Sequence, residues 1–278
     1  MNPDSLPKPI AAALAARRWT RIHEFLYFGL LQARACVFAG AFFGVLLVSR
    51  YVQIPGLVRP DFILLAALLL QAALLLGRVE TLAEAAVLAV FHALGLALEL
   101  FKTQPGIQSW AYPELGRFHL GHVPLYSGFM YAAVASFMCQ AWRLQHLRLT
   151  GYPPRWLAIP LALGIYANFF THHWLPDMRW WLVAAVVAAF ARTRVHFTVT
   201  TKERAMPLAL SFVLIGFFVW VAENVSTFLG AWVYPDQQAG WAIVSTGKIS
   251  SWALLVILTF VIVAELKHYR EGEAAVRR

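Results

Sequence analysis

The chain is made of apolar runs close to the length that crosses a bilayer, separated by short segments rich in Pro, Gly and Arg. Roughly 20 apolar residues, each rising about 1.5 Å along a helix, cover a hydrocarbon core of about 30 Å. Eight runs approach that length, at 27–48, 61–76, 82–101, 124–142, 157–174, 177–190, 207–229 and 248–266. The second and sixth are short, which implies tilted helices or ends beyond these limits. Turn-forming residues such as Gly151 and the pair Pro153-Pro154 mark the boundaries. The pattern predicts an all-α fold, a polytopic membrane helix bundle of about eight transmembrane helices.

The polar positions within this pattern repeat. Glu99, Thr103, Gly106, Trp110, Tyr112 and Pro113 recur in order as Glu223, Thr227, Gly230, Trp232, Tyr234 and Pro235. From Glu to Gly the spacing is identical, and the second copy is two residues shorter before its Trp. The same offset pairs Ser127 with Ser251 and Arg143 with Lys267, while Pro60-Asp61 and Pro176-Asp177 each open the second helix of a half. The expected organisation is two parallel four-helix repeats, 27–142 and 151–267, within one bundle. A basic amphipathic cytoplasmic segment, 1–26, precedes them, and a cytoplasmic tail, 268–278, follows.

Composition fits this reading. The chain is 60% hydrophobic and 13% charged, with mean hydropathy +0.62, against about 25% charged residues in a typical soluble domain. Its net charge of +9 follows from loop bias rather than from nucleic-acid binding. With the N-terminus inside, 16 of the 23 Lys and Arg residues lie on the cytoplasmic side and 6 on the outer side. Both termini are therefore expected in the cytoplasm. The remaining one, Arg34, lies inside the first run, where it either snorkels to the surface or meets a carboxylate. Arg17, Arg18 and Arg21 suit a helix lying on anionic lipid. No apolar core with a small-residue cleavage site opens the chain, so a removable signal peptide is not expected. Cys36 and Cys139 lie in apolar runs and form neither a disulfide framework nor a metal-spaced pair.

The candidate chemistry centres on Glu99 and Glu223, near the outer ends of the third and seventh runs. A carboxylate in hydrocarbon is costly and ordinarily faces a bundle interior or a cavity. The negative end of the helix dipole disfavours an anion there, so a protonatable Glu beside Trp rings can act as a general acid. Helical spacing puts His92 and Thr103 on the face of Glu99, and Trp220 and Thr227 on that of Glu223. Alternatively each Glu caps local backbone or pairs with Lys102 or Lys248. Trp110, Tyr112, Trp232 and Tyr234 are candidate substrate contacts, although interfacial anchoring accounts for such residues without any function.

Asn168, His172, His173, Asp177 and Arg179 form the densest polar cluster. His172, His173 and Asp177 are candidates for catalysis or for a divalent metal; the other reading of Asp177 is an N-cap matching Asp61. Asn168, Arg179, Asn224, Lys248 and Tyr126 complete the expected substrate-binding set. His119 and His122 lie in the loop before the fourth run. There is no HExxH, P-loop, nucleophile elbow or dinucleotide fingerprint in a credible context. No cofactor is expected, with a divalent metal left open.

The segments GIYANFFTHHWLPDMR (164–179), MPLALSFVLIGFFVWVAENVSTFLGAWVYPDQ (206–237) and KISSWALLVILTFVIVAELK (248–267) resemble the YoaT-like bacterial integral membrane proteins, catalogued as a domain of unknown function, number 817. ELFKTQPGIQSWAYPE (99–114) and VPLYSGFMYAAVASF (123–137) extend the resemblance to essentially 25–267. It implies a multi-pass protein of the bacterial inner membrane and brings no activity. A Glu followed by a Trp-x-Tyr turn is also similar to small-helix membrane lycopene cyclases and carotenoid hydratases, whose acidic residues protonate an alkene without a redox cofactor. The eight runs, the His172-His173 pair and the segment Pro124-Leu125-Tyr126 depart from those enzymes, so that likeness is one of chemistry alone.

The expectation that follows is a membrane enzyme doing acid/base chemistry, with or without a metal, on a lipid-phase or isoprenoid-like substrate at the outer half of the bilayer. The alternatives are a small-molecule or proton-coupled transporter with Glu99 and Glu223 as coupling sites, and a lipid-binding factor without chemistry. Membrane lipids are the expected partners, and the sequence leaves the oligomeric state open.

Overall fold

The computed structural model describes residues 21–276, with side chains from 21 to 265. Most of the expected N-terminal basic segment and the side chains of the expected tail lie outside the described residues. The described chain is mostly helical: α1 (Arg21–Ala35), α2 (Val37–Tyr51), α3 (Arg59–Leu76), α4 (Leu82–Thr103), α5 (Gly128–Leu144), α6 (Arg155–Thr171), α7 (Arg179–Ala189), α8 (Leu208–Phe228) and α9 (Lys248–Val276). By length and composition α3, α4, α8 and the Lys248–Glu265 part of α9 can cross a membrane. The pair α1 and α2, bent by 64° at Cys36, makes a fifth if it is one broken span. The apolar runs expected at 124–142, 157–174 and 177–190 are thus shorter helices, of 17, 17 and 11 residues. Arg34 is exposed beside the α1–α2 bend.

Local chemistry sets the helix ends. Pro60 sits in the first turn of α3, where its missing N–H costs nothing. The neighbouring Asp61 is buried and accepts hydrogen bonds from the backbone N–H groups of Arg117 (2.9 Å) and Phe118 (3.1 Å). Thr81 and Glu84 form a reciprocal capping box that starts α4. At the end of the bundle where α3 starts, the carbonyls at and just past the end of α8 are capped by arginines. Arg50 donates to Phe228 (2.6 Å), and Arg59 donates to Leu229 (2.6 Å) and Gly230 (2.9 Å).

The tightest helix pairs are α4 with α5 and α8 with α9. Glycine permits both contacts. A Cβ at Gly95 would lie 2.4 Å from the Tyr131 ring, and one at Gly216 would lie 2.8 Å from the backbone nitrogen of Ala253. The core is aromatic, with Phe38 stacked on Phe42 and on Phe129, and Phe212 packed edge-on to Phe190 and Phe260.

The structure adds strands that the apolar pattern did not predict. A small hairpin joins β1 (His119–Leu120) to β2 (Val123–Pro124). At the opposite end of the bundle β3 (Arg148–Thr150), β4 (Arg194–Thr198) and β5 (Glu203–Pro207) form an antiparallel sheet in the order β3-β4-β5. Cross-strand pairing holds it: Glu203 accepts from Arg148 (3.1 Å) and lies 2.9 Å from His196. These segments are too short and too rich in arginine for an apolar-run reading to register them.

The backbone approach at Gly216 gives a direct check. Gly216→Val should loosen the α8–α9 contact and cost about 1–3 kcal/mol through overpacking. Gly44→Ala, where an added methyl meets nothing within 4 Å, should be neutral or better. Thermal unfolding of both variants in detergent measures the difference, and equal midpoints would contradict this packing.

Candidate functional site

Both Glu-bearing helices end in a left-handed glycine turn. Gly106 has φ +94° and Gly230 has φ +69°, a region that glycine enters without the Cβ penalty. Each turn sends its Trp-x-Tyr segment back across the helix end, and the two segments meet. Ala111 and Val233, the middle residues of the two Trp-x-Tyr units, exchange both backbone hydrogen bonds at 2.9 Å as an isolated antiparallel bridge. The Tyr126 hydroxyl donates to the Ala231 carbonyl at 2.6 Å and steadies the second segment.

This arrangement delivers donors to the two carboxylates, each only 2% exposed. Glu99 accepts from Trp110 Nε1 (2.6 Å) and the Tyr112 hydroxyl (2.7 Å) on Oε2, and from the Tyr131 hydroxyl (2.8 Å) on Oε1. Glu223 accepts from the Tyr234 hydroxyl on Oε1 and from Trp252 Nε1 (2.6 Å) on Oε2. Burial, with the adjoining carboxylates, pushes the Tyr112 and Tyr234 phenols well above their usual range. Both therefore stay protonated and remain donors. The two acids are also linked through their aromatic partners. Trp110 and Tyr234 meet edge to face at 6.1 Å, and the Lys248 ammonium lies 4.1 Å from the Tyr234 ring centre and 5.7 Å from that of Trp110.

Glu99 and Glu223 line one end of a cavity of about 1190 Å³. Trp110, Tyr131, Trp232, Tyr234, Lys248 and Trp252 share that end. Asn168, His172, Arg179 and Lys102 border it as well. Its walls are apolar, with Phe43, Met130, Phe137, Ile215 and Phe218 among them, and Val195, Phe197 and Met206 of the sheet line it as well. There Gln32 donates to Gln145 at 3.3 Å. A second cavity of about 350 Å³ lies against the bridge; it is lined by Tyr112, His122 and Gln238, and Trp110 lines both spaces.

The remaining sequence candidates divide. Asn168, His172, Arg179, Lys248, Trp110, Trp232 and Tyr234 line the main cavity with the two acids. His173, Asp177, Tyr112, Asn224 and Tyr126 are not among its lining residues. Asn224 is used structurally, donating to the Trp220 carbonyl (2.8 Å) and accepting from Val244 N (2.9 Å). Asp177 pairs with Arg179 (3.2 Å) and accepts from the Arg179 backbone N–H (2.9 Å) and from Asn168 (3.1 Å). It is not the N-cap expected from the match to Asp61: Met178 holds that position in α7, and Asp61 lies inside α3.

The candidate metal ligands His172, His173 and Asp177 do not assemble as a triad. Lys102 Nζ lies 2.9 Å from His173 Nε2 and 3.4 Å from His172 Nε2. An ammonium so placed donates to both ring nitrogens and occupies the lone pairs a metal would use. His172 Nδ1 lies 2.8 Å from the Asn168 carbonyl, which fixes it as the N–H side of a neutral ring. Among the described residues no three His, Cys, Asp or Glu side chains gather as a ligand set.

Sequence reasoning missed Tyr131 as the third donor to Glu99. Its signal was Gly95, the glycine that makes room for its ring. It also missed that Trp252, rather than Lys248, makes the direct bond to Glu223, and that Arg50 and Arg59 close the end of α8.

Comparison with known proteins gives a relative without an assigned activity. The uncharacterized protein YoaT of Bacillus subtilis (strain 168) is 48% identical over 250 residues, covering 90% of this chain and 94% of its own length. No solved structure matches the chain. The family model described as protein of unknown function (DUF817) matches residues 24–260, and the chain belongs to that family.

Proposed function

We propose that this protein is a multi-pass enzyme of the bacterial inner (plasma) membrane that binds a lipid-phase, isoprenoid-like molecule in the main cavity and moves a proton at Glu223. The observation that carries the reading is the cavity itself. Its volume of about 1190 Å³ exceeds the ~300–1,000 Å³ of ordinary small-molecule sites, its walls are apolar, and the two buried carboxylates meet it at one end. An apolar body fits the walls and leaves its reactive part beside the acids.

The two acids have different parts. Glu99 has three donors on its two oxygens, so its role is to hold Trp110, Tyr112 and Tyr131 in place. Glu223 has two donors and Lys248 nearby, which leaves it the better group for exchanging a proton with a bound molecule. Trp110, Trp232 and Trp252 present ring faces or edges to the same space, suited to steadying positive charge that develops in an alkene protonation.

The architecture in this reading is about eight passes in two parallel repeats, with both termini in the cytoplasm and the acid end facing outward. The bridge between Ala111 and Val233 supports it, since equivalent residues of the two copies pair with each other. The pairing of third with fourth helices in both halves supports it too. α7, about half a bilayer long, completes a pass only with its flanking residues.

A carrier is the second reading, favoured by one feature: the cavity runs from the acids to Gln32 and Gln145 near the sheet. Its apolar walls fit a lipid-phase cargo better than an ion or a sugar.

Two outcomes are expected. In cells lacking the endogenous protein, wild type should change the lipid extract seen by untargeted mass spectrometry, and Glu223→Gln should abolish the change while the protein remains in the membrane. Identical extracts from wild type, Glu223→Gln and the empty strain would refute the enzyme. For orientation, with Cys36 and Cys139 replaced by Ala, Gln238→Cys should react with an impermeant maleimide in intact cells. Lys202→Cys should react only after permeabilisation; the opposite pattern would invert the topology.

A further inference from the structure

A buried ammonium is ordinarily paired with an anion, because leaving it alone in a low-dielectric site is costly. Lys102 is 4% exposed, yet among the described residues neither it nor Lys248 makes an ion pair. The polar partners of Lys102 are the neutral rings of His172 and His173, and those of Lys248 are the faces of Trp110 and Tyr234. The charged groups close enough to act on Lys102 are Lys248, Arg179 and, more weakly, Asp177. Lys102, Lys248 and Arg179 come from α4, α9 and α7, and all three line the main cavity. Three helices therefore bring positive charge to one place; Glu223 and, more weakly, Asp236 and Glu99 act on Lys248, while Lys102 has only Asp177 to offset its charge. Asp177 is committed to Arg179, while Glu99 and Glu223 are turned to Trp and Tyr donors. The start of α9, at Lys248, adds the positive end of a helix dipole.

We infer that Lys102, Lys248 and Arg179 form a receptor for the phosphate head of a single-chain amphiphile whose apolar chain occupies the cavity below. A phosphate presents several oxygens in different directions, which suits cations converging from three helices. Arg179 offers a planar fork and the lysines offer compact point charges. Asn168, His172 and the backbone around Gly247 border the same space. The chain then extends between Met130, Phe137, Ile215 and Phe218 towards the sheet. This inference rests on the reading of the cavity as a lipid-phase site and names the class of molecule it takes.

The test uses the full-length protein in nanodiscs of a zwitterionic lipid, with quenching of intrinsic Trp fluorescence as the readout. The probes are a fifteen-carbon prenyl monophosphate, the prenyl alcohol and the fatty acid of similar chain length, and inorganic phosphate. The prenyl phosphate should bind at least tenfold more tightly than the alcohol, and more tightly than the fatty acid. Lys102→Gln and Lys248→Gln should each remove most of that advantage without changing the alcohol's affinity, and Lys102→Arg should restore it. Inorganic phosphate should compete only weakly, because it lacks the chain. Should the alcohol and the phosphate bind equally, or the lysine variants leave the phosphate unaffected, the anion receptor is wrong while the lipid-phase cavity stands. Preference for the fatty acid overturns the phosphate assignment. Binding of neither chain-bearing probe overturns the cavity reading itself. Tight binding of inorganic phosphate alone would mean that the site serves a free anion and not an amphiphile.

Discussion

Two carboxylates buried at the ends of apolar helices must receive hydrogen bonds from the chain itself, since hydrocarbon offers none. That constraint organises the acid end of this molecule. Each Glu is followed by a glycine turn and a Trp-x-Tyr segment that folds back to supply donors. A hydrogen bond to a charged group contributes roughly 1.5–3 kcal/mol, so the three on Glu99 and the two on Glu223 fix the loops as firmly as the loops satisfy the acids. Because Ala111 and Val233 pair with each other, neither loop can move without disturbing the other. The acids, their aromatic donors and the cavity behind them behave as one unit.

Some elements of that unit could be read from the sequence, and the reasons are specific. The repeated Glu, Gly, Trp and Tyr positions identified both carboxylates and their loops, because a polar residue in an apolar run stands out and its repetition stands out further. Long apolar helices such as α4 and α8 followed from the same contrast. The donors from neighbouring helices did not follow. Tyr131 and Trp252 reach Glu99 and Glu223 across helix contacts, and an aromatic residue in an apolar helix carries no mark of which neighbour it will meet. The β3-β4-β5 sheet was invisible for a different reason: its strands are short and arginine-bearing, so they read as basic loops.

The polar cluster around His172 shows how spacing alone misleads. Two histidines and an aspartate within six residues fit a metal site on paper. The fold instead brings Lys102 from α4 against the Nε2 atoms of both imidazoles and ties Asp177 to the backbone where α7 starts. The side chain that decides the chemistry lies about 70 residues away in the sequence, where no local motif can report it. The same lysine, buried without an acidic partner, is what turns a candidate metal centre into a candidate anion receptor.

The central claim is that the two acid loops meet at Ala111 and Val233 and close the acid end as a pair. Cysteine cross-linking tests it most directly. Directly opposed residues of a hydrogen-bonded antiparallel pair have Cα atoms about 5.5 Å apart, within the range a disulfide spans. With Cys36 and Cys139 replaced by Ala, the double variant Ala111→Cys/Val233→Cys should form an intrachain disulfide under mild oxidation in native membranes. The neighbouring combination Ala111→Cys/Gln238→Cys should do so far less. Two thiols that remain fully alkylatable in the 111/233 variant, under conditions where the protein is folded, would contradict the account.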